Sequence, residues 1–220
     1  MKKAIAKDDR TVTKWLLAAG MIAGPLFLIV PLIEIFTRPG FDITRHAISM
    51  LSLGNLGWIQ ITTFILTGLL TVACAVGMRL ALRGSRGGTW GPLLVGAFGV
   101  GMIAAGIFAT DPGLGFPPGA EAGIASTMSW HAILHSIAFF TSFLSVIAAC
   151  FVFVRRFASI RQRGWVMYCA ATGVAIPAFI VLGMGSVVAT GVAFFITGWL
   201  AWIWVVAITL RLSTEKIQKI

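Results

Sequence analysis

The sequence predicts an all-α integral membrane protein, a bundle of six transmembrane helices with both termini on the cytoplasmic side. Three observations predict it. Of 220 residues, 58% are hydrophobic and 11% charged, with a mean hydropathy of +0.95, whereas a soluble domain carries roughly 25% charged residues. The charge-poor stretches are long enough for a bilayer core of about 30 Å, which needs about 20 apolar residues in a helix. Lysines and arginines recur between alternate stretches, on one side of the chain's path.

The first span is expected at 15–36, after a tail at 1–14. Lysines before an apolar stretch mimic a signal peptide, but this stretch is longer than a signal core and lacks an obvious small-residue cleavage site. A retained span is therefore expected. The second, third and fourth spans are expected at 58–78, 91–110 and 130–154. The last charge-poor block, 165–210, runs 46 residues without Asp, Glu, Lys or Arg. As one helix it would be roughly 69 Å long at about 1.5 Å per residue, more than twice the core thickness. It must fold back. Gly183, Gly185 and Ser186, then Thr190 and Gly191, place the reversal. Spans at 165–184 and 191–210 result, with a tail at 211–220. Pro25, Pro31 and Pro177 predict kinks that a bundle tolerates. Gly96, Gly99, Gly101 and Gly106 predict close helix contacts.

The basic residues orient the bundle. Fifteen of seventeen fall on one side of the six-span arrangement: the N-terminal cluster, Arg79 to Arg86, Arg155 to Arg163, and the C-terminal cluster. Only Arg38 and Arg45 lie opposite. The net charge of +10 therefore reflects membrane insertion, and no nucleic-acid partner is expected. Trp15, Trp58, Trp90, Trp130 and Trp165 open spans, as interfacial anchors do. The expected location is the bacterial cytoplasmic membrane, crossed several times, with membrane lipid as the surrounding partner. Cys74, Cys150 and Cys169 lie in apolar runs and form no disulfide framework.

This topology places the scarce polar groups. His46, Asp111, His131 and His135 all fall on the outer side, with Glu34, Asp42 and Glu121. In the first outer connection, Asp42 can cap an amphipathic segment with Ile43, Ala47, Met50 and Leu51 on one face. Arg45, His46, Ser49 and Ser52 form the other. The third connection, DPGLGFPPGAEAG, is expected to make a structured turn or flap over the outer mouth.

The stretches HAISMLSLGNLGWIQ, GIFATDPGLGFPPG and SWHAILH, the last followed by an apolar helix ending in Arg-Arg-Phe, resemble a bacterial membrane-protein family. That family is catalogued as domain of unknown function 998. The resemblance runs roughly from the first span to the fifth and implies six helices, with no established activity. In its polar ingredients the chain is also similar to the alkaline ceramidases and adiponectin-receptor-like proteins, seven-helix hydrolases with three histidines, an aspartate and a serine around zinc. That resemblance implies His46, His131, His135, Asp111 and Ser49 as counterparts. The serine spacing and the helix number depart from it.

Read from the residues, His131 and His135 stand four apart and can share one helix face. Such a pair can bind zinc, as in His-Glu-x-x-His proteases, although Ala132 here replaces the glutamate. A nitrogen from His46 would leave a coordination position for water. Asp111 would serve as general base, as a ligand, or as acceptor for an imidazole N–H. Ser49 or Ser52 would orient a substrate carbonyl. The expected activity is metal-assisted hydrolysis of a lipid-like ester or amide at the outer face. The alternatives are a structural polar cluster, a metal-free binding or transport site, and a scaffold whose Trp199, Trp202 and Trp204 face lipid or a partner. Coupled transport is disfavoured, because no acid or base lies at mid-membrane.

Overall fold

The computed structural model describes residues 2–123, 127–185 and 189–217. Backbone in lipid must satisfy its own hydrogen bonds, and the apolar stretches do so as helices: α1 Lys2–Thr37, α2 Gly57–Ala81, α3 Trp90–Ile107, α4 Trp130–Ser159, α5 Arg163–Gly185 and α6 Thr190–Ile217. All six are long and apolar enough to cross a membrane. Five contain the expected span entire, and helical structure continues into both tails. The third ends earlier than expected. Phe108 leaves the helix with φ −102° and ψ 105°, and Pro112 biases Asp111 away from helix. The reversal between α5 and α6 is in place, though Ser186 lies outside the described residues, as does Lys219 of the C-terminal basic cluster.

The helices close a ring in chain order. Each packs on the next, α6 returns to α1, and α2 and α6 touch across the middle. Backbones meet at Gly68 and Gly99, where a Cβ on either would sit 2.6 or 2.8 Å from the other's carbonyl oxygen. The centre holds Phe98, Phe153, Trp202 and Trp204. Trp202 and Trp204 are 1% and 0% exposed, which corrects the reading of them as lipid- or partner-facing. Trp204 Nε1 donates to Cys169 Sγ at 3.4 Å.

Mid-bundle hydroxyls are largely spent within their own helices. Thr63, Thr67 and Thr71 each donate to the carbonyl four residues back, as do Ser142 and Thr172. A hydroxyl returned to its own backbone needs no partner in lipid.

The two ends of the bundle differ. The basic end holds both termini and the short links 82–89 and 160–162. There Arg156 donates to Ser85 Oγ and the Arg86 carbonyl and pairs with Glu215 at 3.1 Å. The opposite, loop end carries the connections 38–56 and 108–129. The helical segment of the first connection is a 3₁₀ turn, Ile48–Ser52. His46, just before it, and Ser52, at its end, are nevertheless buried, and the second long connection folds over His46. Phe116, 0% exposed, is the plug, set against Phe41 and His46 at ring distances of 5.3 and 5.4 Å. At the start of α6 a Cβ on Gly191 would lie 2.2 Å from the Ile43 carbonyl oxygen, so the first connection rests directly on that helix.

Arg38 explains its own departure from the basic end. Its guanidinium pairs with Glu34 at 3.0 Å, donates to the carbonyls of Leu51 and Leu53, and lies 5.6 Å over the Phe116 ring. Replacing Arg38 by Gln strands the buried Glu34 carboxylate, and removal of one partner from a buried pair costs about 3–5 kcal/mol. Thermal unfolding in detergent should show a large fall in Tm for Arg38→Gln and a smaller one for Arg38→Gln/Glu34→Gln. Orientation is tested with single cysteines. Gly119→Cys should react with an impermeant thiol reagent in intact cells, and Ser159→Cys only after permeabilisation. The native cysteines are buried and should stay silent.

Candidate functional site

Beneath the first connection, at the loop end, lies a cavity of about 250 Å³. Its walls are aromatic: Phe27 from α1, Phe64 from α2, Phe143 from α4, and Phe194 and Trp202 from α6. Phe27 stacks on Trp202 at 5.1 Å. Ala47, Ile48 and Ser49 of the first connection also line it, with Thr110 just beyond α3. Gly198 supplies open wall, where a Cβ would find its nearest neighbours at 3.8 and 3.9 Å.

His135 is the ionisable residue on this wall. Ser129 caps α4 by accepting the Ala132 N–H, and the helix then carries His135 one turn further in, where it is 7% exposed. Its Nδ1 faces the last-turn carbonyls of α3, 2.7 Å from Phe108 O and 3.2 Å from Ala105 O. Against two carbonyl oxygens Nδ1 can only donate. In the neutral ring that leaves Nε2 as an acceptor, and no described residue hydrogen-bonds it.

The other expected site residues go elsewhere. His46 has both nitrogens engaged: Nδ1 accepts the Asp42 N–H at 2.9 Å, and Nε2 donates to Leu114 O at 3.1 Å. It is the fastening between the two long connections, helped by Arg45, which donates to the same carbonyl. Leu114 has φ 55°, a strained conformation held by these contacts. His131 is exposed and bonded through Nδ1 to Ser129 Oγ at 3.0 Å. Asp111 accepts the Ser129 N–H at 2.7 Å. The structure thus brings Ser49 and His135 to one cavity and sets His46, His131 and Asp111 outside its walls. Among the described residues no three of His, Cys, Asp and Glu are grouped so as to hold a metal ion. To act as one of the expected zinc donors, His46 would have to release at least one of these two contacts.

The comparisons with known proteins bear on family and no further. The family model described as "Protein of unknown function (DUF998)" matches residues 21–211. The chain belongs to the DUF998 family. No curated protein matches this DUF998 chain, and no solved structure does. The likeness to alkaline ceramidases rests on residue types that the fold does not gather. Sequence reasoning missed the aromatic walls. Phe27, Phe64 and Trp202 carry no signal separating a cavity wall from ordinary core, and Thr110 entered only as the end of the expected third span.

The Ser129 side chain, and then its backbone N–H, hold the Asp111 carboxyl below the usual aspartate range. A depressed pKa contributes stability that is present above the unfolded value and lost as pH falls through the folded one. Melting temperature should therefore fall on acidification below the ordinary aspartate pKa. In Asp111→Asn that acid-dependent part should shrink; an unchanged pH profile would remove Asp111 from this role.

Proposed function

We propose that this DUF998 chain binds a single-chain, lipid-like amphiphile in the cavity beneath the first connection, opening to the outer leaflet. The observation that carries this reading is the unpartnered Nε2 of His135 on a largely aromatic wall. That nitrogen is open to the cavity, so a ligand that donates a hydrogen bond gains by meeting it, by about 0.5–1.5 kcal/mol net. The size supports one chain. About 250 Å³ lies just under the roughly 300–1,000 Å³ of common ligand pockets, enough for a polar group and a short length of chain. The headgroup would lie among His135, Ser49 and Thr110, with the chain against Phe27, Phe143 and Trp202.

A second reading, hydrolysis of a lipid-like ester or amide, is favoured by one observation: Ser49 and His135 line the same cavity. An imidazole with Nδ1–H tied to carbonyls presents Nε2 as a general base, and Ser49 would then be nucleophile or carbonyl-orienting group.

Both readings are tested with a diazirine-bearing alkyl amide on protein reconstituted in lipid, with crosslinks located by peptide mass spectrometry. Crosslinks should fall on the cavity walls. Gly198→Leu, which fills the cavity, and His135→Phe, which removes the acceptor, should each cut labelling about fivefold or more, as expected for loss of roughly 1 kcal/mol. Labelling confined to lipid-facing residues, or unchanged in both variants, would overturn the binding reading. Cleavage of the amide by wild type and not by Ser49→Ala, with labelling retained, would favour hydrolysis.

A further inference from the structure

We infer that a second site, on the outside of the bundle, holds an anionic phospholipid of the leaflet on the side of the termini. A groove of about 970 Å³ runs between α2, α3 and α4. Its floor is shallow because α3 presents Gly96, Ala97 and Gly101 there, and a Cβ on Gly96 would meet only Ala75, at 3.4 Å. Val76, Leu93, Val100 and Ile137 stand up along its edges, each about half exposed. The walls are almost wholly apolar, which suits an acyl chain.

Charge decides the occupant. Arg79 and Arg83 line the basic end of the groove. Arg79 is fixed there by donating to the Gly88 carbonyl and to Thr89 Oγ1. Arg83 is exposed and has no partner among the described residues. Across the start of α3, a second hollow of about 710 Å³ is lined by Arg86, Arg155 and Trp90. No Asp or Glu lines either hollow. An apolar trough ending in unneutralised guanidinium groups at membrane-interface depth matches one chemistry, a chain joined to a phosphodiester. A neutral lipid would leave Arg83 unanswered, and a free anion would leave the trough unused. This site shares no lining residue with the aromatic cavity, so it stands independently of the proposed function.

The test is lipid retention by the full chain in detergent, read by native mass spectrometry against a mixture of phosphatidylglycerol and phosphatidylcholine. Phosphatidylglycerol should be retained preferentially. Arg83→Gln should lower its retention about fivefold, the effect of one basic residue near an anionic lipid. Gly96→Leu, on the lipid-facing wall, should lower retention at least as far; Ala97→Leu gives the same reading if Gly96→Leu does not fold. Arg163→Gln, basic but outside both hollows, should change nothing. Equal retention of the two lipids, or equal loss in Arg163→Gln, overturns the site. Loss in Arg83→Gln without loss in the groove-filling variants also overturns it, reducing the contact to a headgroup alone. Competition by inorganic phosphate would do the same, identifying a free-anion site.

Discussion

One buried guanidinium organises the loop end of this protein. A charge taken out of water is tolerated only when paired, and the buried Arg38 is paired with Glu34, two carbonyls of the first connection and the Phe116 ring. Through those contacts α1, the 38–56 connection and the 108–129 connection become one cap. His46 repeats the device with a neutral ring, joining Asp42 to Leu114. The cavity roof at Ala47–Ser49 exists because this cap holds the first connection down on α6 at Gly191.

The cap also explains the division of labour among the histidines. Two of the three are hydrogen-bonded into loop structure, and His135 lines the aromatic cavity. Its position follows from helix lengths. Because α3 stops at Ile107 while α4 starts at Trp130, His135 on α4 lies level with the unpaired carbonyls at the end of α3. Those carbonyls need donors, and the imidazole supplies one. The same bond that finishes α3 fixes the tautomer and leaves Nε2 for whatever enters.

The aromatic cavity and the outer groove have opposite chemistries. The first is mainly aromatic, with His135 and a few hydroxyls as its polar groups; the second is aliphatic and ends in cations. Both are shaped by small residues, Gly198 in the first and Gly96 in the second. Their polar ends lie at opposite ends of the bundle. The shared requirement is lipid-like shape, and the discriminating feature in each case is the group at its polar end.

The spans were legible in the sequence because crossing a membrane is a local condition: enough consecutive apolar residues, each helix satisfying its own backbone. Charge bias, interfacial tryptophans and the length of the 165–210 block are likewise properties of the chain alone. The candidate site was legible only in its ingredients. His135 and Ser49 stood out as rare polar residues, but so did His46, His131 and Asp111, and nothing in spacing told them apart. Spacing sets where a Cα sits on its helix. What a side chain meets depends on where neighbouring helices stop and how distant loops fold over them, as with Phe108, Leu114 and Phe116. The sequence alone determined six membrane-crossing helices and their polar inventory; only the tertiary packing decided which histidine brought a free nitrogen to the cavity wall.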